Sequence, residues 1–271
     1  MFSVWSFYIK TTMARVIAVV NQKGGVGKTT TAVNLGAYLA AAGKFVLLVD
    51  MDPQANATSG LGIDHRNLPY GIYEAIAGQA RMKDIIVPTG QEGYYVAPST
   101  ISLAGAGVEL VNVEEREYRL KDALLEVRHD YDVILIDCPP SLGLLTINGL
   151  VAADEVLIPV QAEYYALEGV GQLTSTIELV REHLRPDLKV MGAVLTMYDT
   201  RTKLSRDVFE QLYQYFPSGI FRSVVPRSVR LAEAPSFGKS IYHYDAASKG
   251  ARAYERLARE FLLRIESEII L

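Results

Sequence analysis

The chain has 271 residues, 49% of them hydrophobic, which is enough to bury a full core in one large domain or two small ones. Its formal net charge of −4 gives no global sign of nucleic-acid binding, although a local basic face would suffice for it. A single cysteine, Cys138, excludes an intramolecular disulfide and any multi-cysteine metal site within one chain, and suits a reducing cytoplasm. Residues 1–12 (MFSVWSFYIKTT) lack a basic leader region and a small-residue cleavage site. We expect them to be a non-native or disordered extension, with translation starting at Met13 and one domain spanning 13–271. No apolar run reaches the roughly 18 residues of a membrane span.

Residues 16–20 (VIAVV) predict a buried strand, and 31–42 a helix ended by Gly43. Between them stands Asn21-Gln22-Lys23-Gly24-Gly25-Val26-Gly27-Lys28-Thr29-Thr30. A strand, a glycine-rich turn and a helix N-terminus together make an anion cradle, since glycines let successive N–H groups point inward and the helix dipole adds positive charge. Here Lys28 would reach β- and γ-phosphates, and the Thr29 hydroxyl would ligate Mg²⁺. The spacing is that of a phosphate-binding loop, except that Asn21 replaces the first glycine and a second lysine, Lys23, precedes Lys28 by five residues.

Further along, 45–49 (FVLLV) predicts a second buried strand ending at Asp50-Met51-Asp52-Pro53. Ligands of parallel sheets sit at the carboxyl ends of strands, which places Asp50 and Asp52 toward the phosphates; on pattern alone they also read as turn acids before a proline. Helices are expected over 70–77 and 82–86, a short strand over 94–98, and an amphipathic helix over 114–128 with Leu120, Leu124 and Val127 on one face. The run 131–136 leads into Asp137-Cys138-Pro139-Pro140. A buried strand ending in aspartate, combined with the cradle, predicts that Asp137 holds Mg²⁺, through water, while the prolines stiffen the next loop. Strands follow at 156–160, 189–197 and 223–225, with helices over 165–184, 204–215 and 246–268. The fold class is α/β: a P-loop NTPase-like, mostly parallel twisted sheet with helices on both faces, in a single domain.

Several blocks together carry a resemblance. They are NQKGGVGKTTT (21–31), LLVDMDPQ (47–54), NATSGLG (56–62), IDCPPSLGLLT (136–146), EYYALEG (163–169) and VPRSVRLAEAPS (225–236). This set resembles the ParA/MinD group of ATPases with a deviant Walker A loop, and within it the chromosomal ParA proteins of the Soj type, over essentially residues 14–271. The resemblance implies a cytoplasmic, Mg²⁺-dependent ATPase that forms a homodimer on ATP binding, is nucleoid-associated when ATP-bound, and binds double-stranded DNA without sequence preference. A ParB-type partner would stimulate hydrolysis and release. ATP would contact Lys23, Gly24, Gly25, Val26, Gly27, Lys28, Thr29 and Thr30, with Pro226 and Arg227 beside the base and Met197 packed nearby. Lys23 would reach across to the partner's ATP, supplying charge to the transition state only in the assembled dimer. Asp52 would position the attacking water, and Asp50 would be structural or an outer-shell partner of Mg²⁺. Gly24 and Gly25 would let two loops meet at the interface.

By the same resemblance, Arg201 and Arg230 would form the DNA face, with Lys203, Arg222, Lys249 and Arg252 as helpers. Arg222, Arg227 and Arg230 fall within nine residues that contain no acid. Such contacts give salt-dependent affinity without base readout. A MinD-like membrane-associated ATPase is the alternative, but the final helix mixes acids and arginines on its polar face and lacks a lysine-rich stripe, so no stable membrane insertion is expected. An iron–sulfur reductase needs two cysteines per subunit, and an inert scaffold would not need Lys23, Lys28, Asp52 and Asp137 together.

Overall fold

Short runs of Val, Ile and Leu, too brief for helices, build the strands. They are β1 (Arg15–Val19), β2 (Val46–Asp50), β3 (Val87–Pro88), β4 (Tyr94–Ala97), β5 (Val133–Asp137), β6 (Glu155–Gln161) and β7 (Lys189–Thr196). The computed structural model describes residues 13–163, 166–216 and 219–269. The expected extension over 1–12 lies outside them. The strands make one seven-stranded sheet in the order β3-β4-β2-β5-β1-β6-β7. Only β3 against β4 is antiparallel; the other neighbours run parallel.

A parallel sheet needs helices on both faces, because crossovers must return over the sheet and its strands are apolar on both sides. The helices are α1 (Lys28–Ala41), α2 (Asn56–Gly60), α3 (Ile72–Ile76), α4 (Met82–Ile85), α5 (Ala106–Glu109) and α6 (Arg119–Leu125). They continue with α7 (Leu144–Ala152), α8 (Ala166–His183), α9 (Lys203–Tyr215), α10 (Val229–Glu233), α11 (Ile241–Tyr244) and α12 (Lys249–Ile269). Alternate side chains of each strand enter opposite cores. Ile17, Val19, Leu48 and Leu135 pack with Leu35 and Leu39 of α1 and Leu257 and Phe261 of α12. Val16, Ala18, Val49 and Ile136 pack with Leu120, Leu124, Leu150 and Leu173 on the other face. Truncating a fully buried ring such as Phe261 to alanine costs about 3–5 kcal/mol. At Gly36 a Cβ would meet the Tyr94 hydroxyl at 2.6 Å and its ring at 2.7 Å, so the helix carries glycine where that side chain crosses it.

The structure corrects several expected elements. α1 begins at Lys28, three residues before the expected start, because the Lys-Thr-Thr triplet is itself the first helical turn. The helix expected over 114–128 is confined to Arg119–Leu125, since Glu115 takes a left-handed φ of 54° and breaks it, although Leu120, Leu124 and Val127 are buried as expected. The strand expected over 223–225 is not formed. Arg222 and Ser223 give their N–H groups to the Glu260 carboxylate, 2.8 Å each, and the segment joins the chain around β7 through isolated bridges at Ile220 and Pro226 and a bond from the Val225 N–H to the Leu195 carbonyl (2.8 Å). β3 was not expected: a two-residue strand carrying Pro88 closes that edge of the sheet.

Candidate functional site

The loop after β1 is held from three sides before any ligand arrives. Asn21 donates from Nδ2 to the Pro159 carbonyl of β6 (2.8 Å) and accepts the Lys23 N–H at Oδ1 (3.0 Å). Thr196, at the end of β7, donates its hydroxyl to the Val26 carbonyl (2.7 Å). Lys28 folds back and donates to the Lys23 carbonyl (3.0 Å). Gly25 and Gly27 have φ of 76° and 89°, conformations that other residues adopt at a cost. The first bond of α1 runs from the Thr31 N–H to the Gly27 carbonyl (2.9 Å), so the N–H groups of Lys28, Thr29 and Thr30 have no acceptor within the helix. No side chain caps this end. An anion suits such donors.

The acids sit beneath this loop. β2 and β5 are parallel neighbours in a register that pairs Asp50 with Asp137, an adjacency that strand-end positions alone do not reveal. Both are fully buried. Asp50 is satisfied: it accepts the Thr58 hydroxyl (2.7 Å), the Thr58 N–H (2.9 Å) and the Asp52 N–H (3.2 Å). Burial nonetheless pushes its pKa up to about 6, against the pull of those bonds. Asp137 has no hydrogen-bond partner of ordinary geometry at either carboxylate oxygen. Burial first, then the Asp50 carboxylate, raises it well above the usual range; the Thr29 hydroxyl and the Lys28 ammonium oppose the rise. Lys28 is 6% exposed, and burial lowers its pKa while Asp137, Cys138 and Asp52 counter the fall. A buried carboxylate without a partner, beside a threonine hydroxyl at a helix start, is a half-built cation site. No group of three or more His, Cys, Asp or Glu able to hold a metal occurs among the described residues. Thr29 and Asp137 fit Mg²⁺, which takes one or two protein ligands and completes its shell with phosphate oxygens and water.

Two cavities open on this loop. A cleft of about 460 Å³ is lined by Gly24, Gly25, Lys28, Thr29, Asp52 and Lys239 among others. A second, of about 170 Å³, is lined by Thr196, Met197, Pro226, Arg227 and Tyr254. Gly27, Thr30 and Met197 line both, so they are continuous across the loop. The expected base-side residues Pro226, Arg227 and Met197 thus come together beside the expected phosphate-side residues. Met197 has a φ of 51°, a strained conformation at a site-lining position. Asp52 is 7% exposed in the cleft and accepts the Gln54 N–H at 3.0 Å.

Three features escaped the sequence. The Lys23 ammonium is ion-paired within its own chain to Glu163, a residue that the motif blocks contained but did not link to it. The Thr196 brace had no signal at all, being an ordinary strand residue. Lys239 enters the cleft from the segment between α10 and α11.

The expected basic residues lie away from the cleft floor. Arg201 is in the loop between β7 and α9, and Arg230 is in α10. An isolated bridge from Tyr198 to Pro226 brings the two segments side by side. Neither guanidinium stands alone. Arg201 makes two bonds to Asp199 (2.9 and 2.7 Å), and Arg230 contacts Glu233 (3.0 Å) and Asp245 (3.4 Å). The Arg201 hydrogen bonds hold the Asp199 carboxyl down at about 2. Among the expected helpers, Arg222 lends only its backbone N–H to a bond with Glu260.

A family model described as an AAA domain matches residues 14–190. The chain is 56% identical over 248 residues to the sporulation initiation inhibitor protein Soj of Bacillus subtilis, covering 92% of this chain and 98% of that one. It is 54% identical over 253 residues to the chromosome partitioning protein ParA of Myxococcus xanthus, covering 93% and 89%. A solved structure of cobyrinic acid a,c-diamide synthase from Mycobacterium smegmatis with bound ADP and magnesium aligns with a TM-score of 0.84 and 42% identity, over 94% of this chain and 97% of that one.

Proposed function

This chain belongs to the ParA/Soj family of chromosome-partitioning ATPases, and from that premise we propose that ATP assembles two copies of it into a dimer that binds duplex DNA without sequence preference. A ParB-type partner then stimulates hydrolysis and frees the DNA. The observation that carries the reading is the preformed cradle: unpaired N–H groups at the start of α1, a buried lysine, and below them the unpartnered Asp137.

In this reading Lys28 and the N–H groups of Gly27–Thr30 hold the β- and γ-phosphates. Thr29 and Asp137 would hold Mg²⁺, which would supply charge to offset that developing on the phosphate oxygens. Asp52 orients a water in line with the γ-phosphorus. The water oxygen bonds to phosphorus as the bond to the bridging oxygen breaks, giving ADP and phosphate. Lys23 leaves Glu163 and reaches the γ-phosphate of the partner copy, so hydrolysis needs the dimer. Gly24 supports a close approach at this face. A Cβ built there meets nothing within 4 Å and its φ is not left-handed, so the fold itself makes no demand for glycine. The ATP-bound form sits on the nucleoid and the free form in the cytoplasm. No helix of the described residues is long and apolar enough to cross a membrane.

The test is binding of random-sequence duplex DNA by Asp52→Ala, with and without ATP, over a salt series. ATP-dependent binding that weakens steeply with salt, together with arrested turnover, is expected. Turnover at the wild-type rate would remove Asp52 from its role. Absence of binding at low salt with ATP bound would overturn the DNA reading.

A further inference from the structure

The two arginines assigned to DNA are already occupied by carboxylates of their own chain. Arg201 is held by Asp199 through both Nε and Nη2. Arg230 is held by Glu233 at Nη1 and by Asp245 at Nε, and Glu233 is itself fixed by the Tyr244 hydroxyl (3.1 Å). Three carboxylates therefore face these two guanidiniums and offset their charge. The pairs are open to water, with the Arg201 side chain 87% exposed and that of Arg230 56%. Exposed pairs are weak, and a guanidinium has five N–H donors, so a phosphate can still be taken on. The carboxylates stay beside it. They repel the phosphate and cancel much of the counterion release that drives such binding.

We propose that Asp199, Glu233 and Asp245 make DNA binding depend on ATP, by offsetting the charge of Arg201 and Arg230 so that the face of one copy holds a duplex only weakly. The inference rests on the DNA reading above. ATP need not rearrange the basic face at all. Joining two faces in one dimer turns the second contact into an intramolecular one, and that gain in effective concentration lifts a weak grip above threshold.

The experiment compares wild type with the triple variant Asp199→Asn/Glu233→Gln/Asp245→Asn on random-sequence duplex DNA, over a salt series, with no nucleotide, with ADP and with ATP. The amides keep size and one acceptor oxygen each; they remove the charge and, at Asp199, one of the two oxygens that accept from Arg201. None of the three residues lines the nucleotide cleft, so basal ATP hydrolysis stays at the wild-type rate. The triple variant is expected to bind without nucleotide roughly tenfold or more tighter than wild type, with a log–log salt slope steeper by up to about 0.9 per freed arginine. ATP then adds less than it adds to wild type. The charge-keeping variants Asp199→Glu and Glu233→Asp are expected to keep wild-type gating. Nucleotide-free binding of the triple variant at the wild-type level, with the ATP stimulation unchanged, would overturn the inference while leaving the DNA reading in place. Absence of ATP-dependent binding in wild type itself would overturn both. Loss of gating in the charge-keeping variants would assign the effect to local shape and overturn the charge argument.

Discussion

The floor of the cradle and the arginine surface treat charge in opposite ways. Under the loop, Asp50, Asp137 and Lys28 are buried, and the protonation of each is displaced toward neutrality by burial. On the surface, Arg201 and Arg230 stand in water and their charges are matched by carboxylates. The buried groups cost folding energy that only a ligand of complementary charge recovers; the surface groups cost almost nothing and gain little. The first region leaves an interaction unsatisfied, whereas in the second, on the proposed reading, the charge waits on geometry supplied by another copy.

The largest effect expected from this contrast is at Lys28. Lys28→Ala removes the buried cation that faces the phosphates, and ATP turnover should fall by about 10³-fold or more. The fold should survive, because the desolvated ammonium contributes little to it. Turnover and nucleotide titration measure the first, thermal unfolding the second. Unfolding of the variant would mean that the lysine is a structural strut, and the contrast would fail at its centre.

Asp137→Asn should separate activity from stability. Magnesium-dependent hydrolysis is lost with the carboxylate. The ligand-free protein should become more stable, by about 1–2 kcal/mol, because a buried charge without a partner is replaced by a neutral amide. A lower melting temperature in the variant would show that Asp137 is satisfied in the ligand-free state and would remove the argument for a stored interaction.

The same pair sets a pH signature. Asp50 is raised from 3.8 to about 6, so between these values the folded state binds more protons than the unfolded one. Stability contributed by the pair is therefore fully present below about pH 4 and falls as pH rises through 6, further still because Asp137 lies higher. Asp199 behaves in the reverse sense. Its carboxyl is lowered to about 2, so its contribution is present above 3.8 and lost as pH falls, though exposure to water makes it small. The gap in melting temperature between Asp137→Asn and wild type should accordingly open as pH rises from 4 to 7. A gap independent of pH would rule out a raised pKa as the source of the instability.

How far these regions were readable in the sequence follows from the same physics. Lys23, Lys28, Thr29, Asp52 and Asp137 were legible because strand, glycine turn and helix fix them by local geometry, and the strand runs that carry the acids are apolar throughout. Their mutual placement was not. That Asp50 abuts Asp137 depends on β5 entering between β1 and β2, and strand order is a nonlocal property. The Lys23–Glu163 pair and the Thr196 brace span 140 and 170 residues and leave no periodic trace. The helix start at Lys28 was missed because Lys-Thr-Thr directly after a glycine turn reads as loop, while here those residues form the first helical turn. At the surface, Arg201 and Arg230 were named from a resemblance. Their compensation by Asp199 was two residues away in the sequence, yet only the folded loop shows that the two side chains meet.

The smallest effect expected belongs to Arg201 and decides how the surface works. Arg201→Ala should leave the melting temperature unchanged, since an exposed pair contributes almost nothing to stability. It should weaken ATP-dependent DNA binding several-fold and lower the salt slope by less than the roughly 0.9 of an uncompensated arginine, because Asp199 already holds part of that charge. The double variant Arg201→Ala/Asp199→Asn removes both charges. If Asp199 weakens DNA binding in its own right, the double variant binds more tightly than Arg201→Ala alone, and the two substitutions add in the cycle. If Asp199 only orients the arginine, removing it once the arginine is gone changes nothing. The first result makes the carboxylate an active part of the face; the second reduces it to a support, and the paired carboxylates would then set no threshold at all.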